Sequence, residues 1–313
     1  MLKLMNTASL ATETANEGTR DLDTMSVAQV LAVMNAEDRT VPVAVAAALP
    51  AIERAVDLIV TARTRGGRLI YLGAGTSGRL GVLDAVECPP TFGTAPHEVI
   101  GLIAGGDTAF LQAVEGAEDD PALAVADLRG IDLEDRDVVV ALAASGRTPY
   151  VIGGLDFARS IGAATVSVAC NVGAAISAHA QVAIEVETGP EVLTGSTRLK
   201  AGSAQKLVCN MLSTASMIRT GKVFQNLMVD VRPTNAKLVD RARRIVSAAT
   251  GADDALAAAT IDLAGGHAKT AVVMLLAGCD AREAAIRLDW AAGNVRTAVG
   301  PRPGPGATLQ VNP

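Results

Sequence analysis

The stretch LIYLGAGTSGR, residues 69–79, decides the fold class of this chain. Its four leading apolar residues indicate a strand buried on both faces, and the glycine-rich turn after them runs into a segment with helical spacing. Similar short apolar runs recur further along the chain, separated by helix-length segments, at residues 99–104, 138–142, 165–169 and 182–186. This alternation predicts an α/β fold, a doubly wound parallel sheet with helices on each side.

The segments on either side of this region predict helices. Residues 1–20 are polar and indicate a tail, whereas beyond Pro233 the strand pattern disappears and only helical spacing remains. Apolar residues recur at helical spacing over 25–39, 44–65, 198–220, 235–250, 253–264, 268–277 and 281–299. We therefore expect an N-terminal helical lead-in and a small all-helical C-terminal module. The final residues, 301–313, are rich in proline and predict a disordered tail.

The composition excludes several classes of function. With 27 basic and 33 acidic residues, the net charge of −6 lacks the basic excess that nucleic-acid binding requires. The four cysteines and three histidines are scattered, without the paired spacing of a metal site or a disulfide framework. No continuous apolar run suits a signal peptide or a membrane span. We expect a soluble protein of a reducing compartment, with neither nucleic acid nor membrane as a partner.

Two loops rich in hydroxyl groups follow predicted strands. The first, GAGTSG (73–78), satisfies GxGxxG, but it lacks both the acidic residue that holds a nucleotide ribose and the ending of a Walker loop. The second, ASGRTP (144–149), follows the run at 138–142. Hydroxyls at a helix N-terminus suit a phosphate monoester, although a single loop of this kind is more often a helix cap and a turn. Two such loops favour phosphate binding. The expected phosphate site consists of Gly75, Thr76, Ser77, Ser145, Gly146 and Thr148.

Two acidic positions are candidates for acid–base chemistry. Glu87 precedes Cys88 and two prolines, so we expect it at the C-terminal end of a helix, in an apolar place that favours the protonated carboxyl. Glu118 lies in the acidic run EGAEDD (115–120), where like-charge crowding and a plain solvated helix end are equally compatible with the sequence. One neutral and one ionised carboxyl together would make a general acid and a general base.

Longer segments resemble N-acetylmuramic acid 6-phosphate etherases, and the resemblance extends over about residues 5–300. The most specific segment is GPEVLTGSTRLKAGSAQK (189–206), a signature that this family shares with glucokinase regulatory proteins. The segments that carry the resemblance are 69–93, 101–120, 137–159, 188–214 and 221–235.

The resemblance implies a sugar isomerase (SIS) domain over residues 59–222. It leaves 1–58 as an N-terminal tail with helices, and 223–300 as a helical module similar to the ubiquitin-associated-like module of the family. It also implies a cytoplasmic homodimer with sites at the subunit interface, and no metal or organic cofactor. From the pattern alone, the apolar residues of the predicted helix 198–220 suit a dimer surface and an ordinary buried helix equally well, and the resemblance favours the dimer: Leu207, Met211, Leu212 and Met217.

The reaction implied by the resemblance is that of a carbon–oxygen lyase. The D-lactyl ether of N-acetylmuramic acid 6-phosphate is cleaved to N-acetylglucosamine 6-phosphate and D-lactate, in the recycling of cell-wall amino sugars. The resemblance makes Glu87 the proton donor and Glu118 the second catalytic carboxylate, and it adds Glu191, Ser196 and Lys200 to the substrate site. Two alternatives stay open: a non-catalytic sugar-phosphate-binding regulatory protein of the same fold, and an aldose–ketose isomerase, which needs a base but no acid for the ether.

Overall fold

The computed structural model describes residues 10–231 and 236–301. Its sheet has five strands, all parallel, in the order β2-β1-β3-β4-β5. The strands are β1 Leu69–Gly73, β2 Val99–Ile103, β3 Val138–Leu142, β4 Ala164–Ala169 and β5 Val182–Glu185. Each strand begins and ends within one residue of the run that the sequence predicts, so the prediction of a parallel α/β sheet is confirmed.

Helices connect and flank the strands. Within the described residues the α-helices are α1 Val27–Asp38, α2 Val41–Ala47, α3 Leu49–Thr64, α4 Gly75–Phe92, α5 Thr108–Leu111, α6 Pro121–Gly130, α7 Pro149–Ser160, α8 Lys200–Arg219, α9 Ala236–Thr250, α10 Asp254–Leu263, α11 Ala268–Ala277, α12 Ala281–Trp290 and α13 Val295–Val299. Short 3-10 turns occur at Ala11–Glu13, Glu17–Thr19, Leu22–Thr24, Ala117–Asp119 and Ala175–His179. None of these helices is long and apolar enough to cross a lipid bilayer.

Both faces of the sheet are covered by helices. Successive side chains of β1 point to opposite faces, as in any strand. Ile70 and Leu72 are fully buried in the apolar cluster that includes residues of α6 and α7. Between them, the hydroxyl of Tyr71 donates to Asp84 of α4 at 2.8 Å and to the Cys209 carbonyl of α8 at 3.2 Å. The sheet is therefore doubly wound, with α6 and α7 on one face and α4 and α8 on the other.

Two of the predicted helices are divided in the structure. The segment 44–65 belongs to α2 and α3, which meet at Ala48; Pro50 stands in the first turn of α3, where a missing N–H breaks no helical hydrogen bond. The segment 281–299 contains α12 and α13. Between them Ala292 and Gly293 take φ values of 48° and 80°, in the left-handed region that ends a helix.

The N-terminal segment is packed from Leu10 onward, although its polar sequence predicts a tail. Leu10 and Thr12 are buried, and the Thr12 hydroxyl accepts a hydrogen bond from Asn171, a residue that is distant in sequence. Local composition cannot reveal a partner of this kind. Residues 1–9 and 302–313 lie outside the described residues, and so does nearly all of the predicted disordered tail.

The chain divides into two compact units. The first comprises the described residues of Met1–Cys88 and Thr94–Ser216, and the second those of Pro89–Gly93 and Met217–Pro313. Helices α9 to α13 of the second unit share one apolar core. In that unit Asp230 pairs with Lys269 at 2.6 Å, which connects the segment before α9 to α11, and with Lys222 of its own segment at 3.4 Å.

Candidate active site

The two hydroxyl loops lie side by side at one edge of the sheet. Strands β1 and β3 are neighbours, and Gly73 pairs with Leu142 at their carboxyl ends. Because the strands are parallel, the loops that leave them emerge at the same edge. In a sheet of this order, β1 and β3 flank the point where the chain reverses its direction of winding, and ligands of open α/β sheets bind at such points.

The first loop runs directly into α4. The helix begins at Gly75, which has a φ of 53°, so Thr76 and Ser77 belong to its first turn, where backbone N–H groups lack helical acceptors. The Thr76 hydroxyl makes no hydrogen bond to any residue that the structure describes. The Ser77 hydroxyl is buried and donates to Oε1 of Gln205 on α8, 2.9 Å away. Free N–H groups and the positive end of the helix dipole favour an anion here.

The second loop precedes α7. Gly146 has a φ of 73°, and a Cβ atom there would lie 2.4 Å from the Cβ of Ala174, so the turn requires glycine. Thr148 is the N-cap residue of α7, yet its side chain makes no capping hydrogen bond. The Oγ of Ser145 accepts a long hydrogen bond, 3.4 Å, from the N–H of Arg147. Helix capping therefore does not account for the Thr148 hydroxyl.

Asn171 supports the second loop and was not among the predicted site residues. Its Nδ2 donates to the Ala144 carbonyl at 3.1 Å and to the Thr12 hydroxyl at 3.0 Å, and the residue is buried. Asn171 stands two residues after Ala169, the last residue of β4, at the sheet edge that carries both loops. A polar residue just after a buried parallel strand is the sequence signal that identifies such a position.

Glu118 lies beside the first loop. A cavity of about 210 Å³ is lined by Gly75, at the start of α4, and by Glu118, in the 3-10 turn Ala117–Asp119. Arg79 lines the same cavity and donates to the carbonyls of Ala109 and Phe110, which ties α4 to α5. The structure thus brings one of the two predicted catalytic carboxylates to the predicted phosphate loop.

The prediction for the surroundings of Glu87 is wrong in two respects. Pro89 and Pro90 do not stop the helix, because α4 continues through both and ends at Phe92. The φ angle of proline is compatible with a helix, and the two missing N–H groups fall in its last turns. Glu87 is also exposed, rather than in an apolar place.

Within one chain Glu87 is remote from that cavity. An α-helix rises about 1.5 Å per residue, so Glu87 lies about 18 Å along α4 from Gly75. Its neighbours Leu83 and Val86 are 44% and 59% exposed, which leaves an apolar surface beside the carboxylate. The adjacent Cys88 is buried; burial, with Asp84 next in effect, raises the pKa of its thiol to about 12, so it stays a neutral thiol.

A buried carboxylate fixes α4 one turn before Glu87. Asp84 accepts hydrogen bonds from Tyr71 at 2.8 Å, from Asn210 at 2.6 Å and from Ser213 at 3.2 Å. Burial, and next the charge of Asp84, raise the pKa of Tyr71 well above its usual value, so the phenol stays a donor. These bonds anchor α4 to β1 and α8 and thereby set the position from which Glu87 projects.

Glu191 and Lys200, which the resemblance adds to the substrate site, both have partners within the protein. Glu191 is fully buried, and its two oxygens accept the N–H groups of Lys200 and Ala201 at 2.9 and 3.0 Å, which caps α8. The buried Nζ of Lys200 pairs with Glu37 of α1 at 2.5 Å. Its hydrogen bond holds the pKa of Glu37 below the usual value. Ser196 is half-buried, and its hydroxyl makes no hydrogen bond to a described residue.

Two cations of the signature lie near the first loop and were missed as candidates. Arg198 and Lys206 line a second cavity, of about 430 Å³, together with Thr76. Neither side chain forms an ion pair with a described residue, and the two cations outnumber the single carboxylate in the lining, that of Asp38, so the net positive charge favours an anionic ligand beside Thr76. Over residues 10–231 and 236–301 the structure contains no group of three or more His, Cys, Asp or Glu side chains that would suit a metal ion.

Comparisons with known proteins agree with this architecture. The family model for the glucokinase regulatory protein N-terminal SIS domain matches residues 51–159, and the model for the SIS domain matches residues 123–215.

Relatives of high identity cover most of the chain. The N-acetylmuramic acid 6-phosphate etherase of Mycolicibacterium smegmatis is 64% identical over 273 residues, which is 87% of this chain and 92% of that protein. The enzyme of the same name from an Exiguobacterium species is 61% identical, covering 86% of this chain and 91% of that protein. N-acetylmuramic acid 6-phosphate etherase 2 of Lactiplantibacillus plantarum is also 61% identical, covering 87% of this chain and 92% of that protein. This chain therefore belongs to the N-acetylmuramic acid 6-phosphate etherase family.

Proposed function

We propose that this chain is a lyase that cleaves the D-lactyl ether of N-acetylmuramic acid 6-phosphate, giving N-acetylglucosamine 6-phosphate and D-lactate. The observation that carries the proposal is the cavity shared by Gly75 and Glu118, which places a carboxylate next to an anion-binding helix terminus. The relatives named etherase favour this enzyme over a regulatory protein of the same fold.

The phosphate group anchors the substrate at the two loops. In this proposal the N–H groups of the first turn of α4 and the hydroxyls of Thr76, Ser77, Ser145 and Thr148 hold the phosphate oxygens, and Gly146 provides the turn. Charge-assisted hydrogen bonds of this kind are worth about 1.5–3 kcal/mol each. Arg198 and Lys206 of the neighbouring cavity, together with the half-buried Ser196, complete the anion-binding side of the site.

The two glutamates divide the proton transfers. With the sugar ring open, the C1 aldehyde acidifies the C2 proton, which Glu118 removes. As the bond from C3 to the lactyl oxygen breaks, Glu87 protonates that oxygen and D-lactate leaves. Water then adds to C3 of the unsaturated aldehyde, and a proton returns to C2. The scheme needs one ionised and one protonated carboxyl and a fixed phosphate.

Glu87 enters the site from a second copy of the chain. Along α4 it lies about 18 Å from Gly75 and about 12 Å from Arg79, the two α4 residues that line the cavity with Glu118. The exposed Leu83 and Val86 beside it, and Met211 on α8, offer an apolar surface for self-association. Leu212 and Met217, which the sequence suggested for this surface, are fully buried and do not contribute. The protein is therefore a homodimer with sites completed across the interface.

The SIS domain over residues 59–222 carries this chemistry. All proposed site residues fall within that range, and the two family-model matches, 51–159 and 123–215, together cover most of it. The helices of 223–300 form a separate module. A cytoplasmic location, within the recycling of cell-wall amino sugars, agrees with four cysteines that are all free thiols.

Lactate release tests the function directly. Purified protein incubated with N-acetylmuramic acid 6-phosphate should give D-lactate and N-acetylglucosamine 6-phosphate in equal amounts. Tight binding without lactate would instead favour the regulatory protein. Interconversion of an aldose and a ketose phosphate without lactate would favour an isomerase.

A further inference from the structure

A buried amide on α8 accepts a hydrogen bond from a hydroxyl of the first loop. Gln205 is 1% exposed, and its Oε1 accepts the hydrogen of Ser77 at 2.9 Å. The neighbouring Gly202 brings the α8 backbone close to the same loop, since a Cβ atom there would lie 3.6 Å from the Cγ2 of Thr76. The first turn of α4 therefore rests on α8.

This arrangement leaves the other half of the amide without a partner. The Nε2 atom of Gln205 is buried and makes no hydrogen bond, and an unpaired buried donor costs free energy. The Ser77 hydroxyl is turned toward Gln205, so its hydrogen is not available to a phosphate oxygen. A half-turn of the amide about its last bond exchanges Nε2 and Oε1 and reverses the hydrogen bond.

We propose that Gln205 is a positioning residue for phosphate binding. With a phosphate in the loop, Nε2 of Gln205 donates to Oγ of Ser77, and the Ser77 hydroxyl donates to a phosphate oxygen. The chain of two hydrogen bonds has one direction, so Gln205 fixes the orientation of the hydroxyl without touching the ligand. The inference rests on the proposed phosphate-binding role of the first loop.

A double-mutant cycle tests this coupling. The variants are Ser77→Ala, Gln205→Met and the combination, with KM and kcat measured for lactate release and Ki measured for inorganic phosphate as a competitive inhibitor. We expect Ser77→Ala to raise both KM and Ki by roughly 10-fold or more, and Gln205→Met by roughly 3- to 10-fold, with kcat nearly unchanged. In the Ser77→Ala background the second substitution should add nothing, because Gln205 acts through Ser77.

The control is Ser216→Ala, which removes another buried hydroxyl from α8. It should change thermal stability without changing KM or Ki. If Gln205→Met does not fold, Gln205→Leu provides an apolar side chain of similar volume. An unchanged KM in the Gln205 variant, or effects that add in the double variant, would overturn the coupling while the phosphate loop stands. An unchanged KM in Ser77→Ala would overturn the loop assignment and this inference together.

Discussion

Asn171 and Thr12 form two hydrogen bonds with each other, although they are 159 residues apart in sequence. The amide Nδ2 of Asn171 donates to the Thr12 hydroxyl at 3.0 Å, and the N–H of Thr12 donates to Oδ1 of Asn171 at 3.3 Å. The same Nδ2 also donates to the Ala144 carbonyl of the second hydroxyl loop. The N-terminal segment is therefore fastened to the loop through one side chain.

Thr12→Val should weaken substrate binding without disturbing the chemistry. Valine keeps the shape but removes the acceptor of Asn171, so the second loop loses part of its support. We expect KM to rise roughly 3- to 10-fold with kcat almost unchanged, and Thr12→Ser to restore it, as measured by lactate release. Thr165→Val is the matched control, since Thr165 is equally buried but lies at the opposite edge of the sheet. Equal KM values for the Thr12 and Thr165 variants would contradict the link.

The sheet could be predicted almost to the residue, but the ends of several helices could not. Strands β1 and β3 are short apolar runs in which every residue is buried, as burial on both faces requires. Pro89 and Pro90 mark a helix end in sequence, yet α4 continues to Phe92, because proline removes hydrogen bonds without excluding helical dihedrals in a last turn. The division at Ala292 depends on a left-handed conformation that alanine rarely adopts.

For the site, the sequence allowed local motifs to be predicted, but not the partners that are distant in sequence. The two hydroxyl loops follow from strand ends that the sequence identifies. The signature that contains Lys200 does not indicate its partner Glu37, which is 163 residues away. Gln205 is likewise connected to Ser77 across 128 residues. Burial and pairing of this kind depend on the assembled fold.

Asp137→Asn should lower the free energy of unfolding by about 3 kcal/mol at neutral pH, because it breaks a buried ion pair. Asp137 joins the starts of β1 and β3: its carboxylate pairs with Arg68 at 2.6 Å and accepts the N–H groups of Arg68 and Glu134. Burial alone would raise the pKa of Asp137, but these bonds outweigh it and hold the pKa below 3.8. Chemical denaturation of the two proteins measures the difference.

The same pair predicts how this difference depends on pH. A lowered carboxyl pKa contributes stability that is present above the ordinary value of 3.8 and is lost as the pH falls through the lower value in the folded protein. The difference in the free energy of unfolding between wild type and Asp137→Asn should therefore be constant near neutral pH and decrease below about pH 4. The control is Glu134→Gln, whose pair with Arg136 is about half exposed on both sides and should contribute less than about 1 kcal/mol. A difference in unfolding free energy that stays constant down to pH 2 would contradict a lowered pKa of Asp137 in the folded protein.

Substitution of each proposed catalytic glutamate should separate the two proton transfers. Glu87→Gln keeps the shape but removes the transferable proton, so lactate release should fall by roughly two to four orders of magnitude while C2 exchange with deuterated water survives. Glu118→Gln should abolish both, because exchange needs the base. Nuclear magnetic resonance of the sugar measures exchange, and an enzymatic assay measures lactate. Exchange lost only in the Glu87 variant would reverse the roles, and full lactate release from both variants would exclude the paired mechanism.

Mixing these two inactive variants should restore activity if Glu87 and Glu118 in one site come from different protomers. In a randomly assorted equal mixture about half of the dimers contain one copy of each variant, and each such dimer has one site with both substitutions and one site with neither. Lactate release should then recover to about a quarter of the wild-type value after the subunits are exchanged by mild denaturation and refolding. A mixture of Glu87→Gln protein with itself, treated in the same way, is the control and should stay inactive. If both glutamates of a site belonged to one chain, every site in the mixture would keep one substitution and activity would not recover. Absence of recovery, when subunit exchange has been proven, would therefore contradict a site shared between protomers.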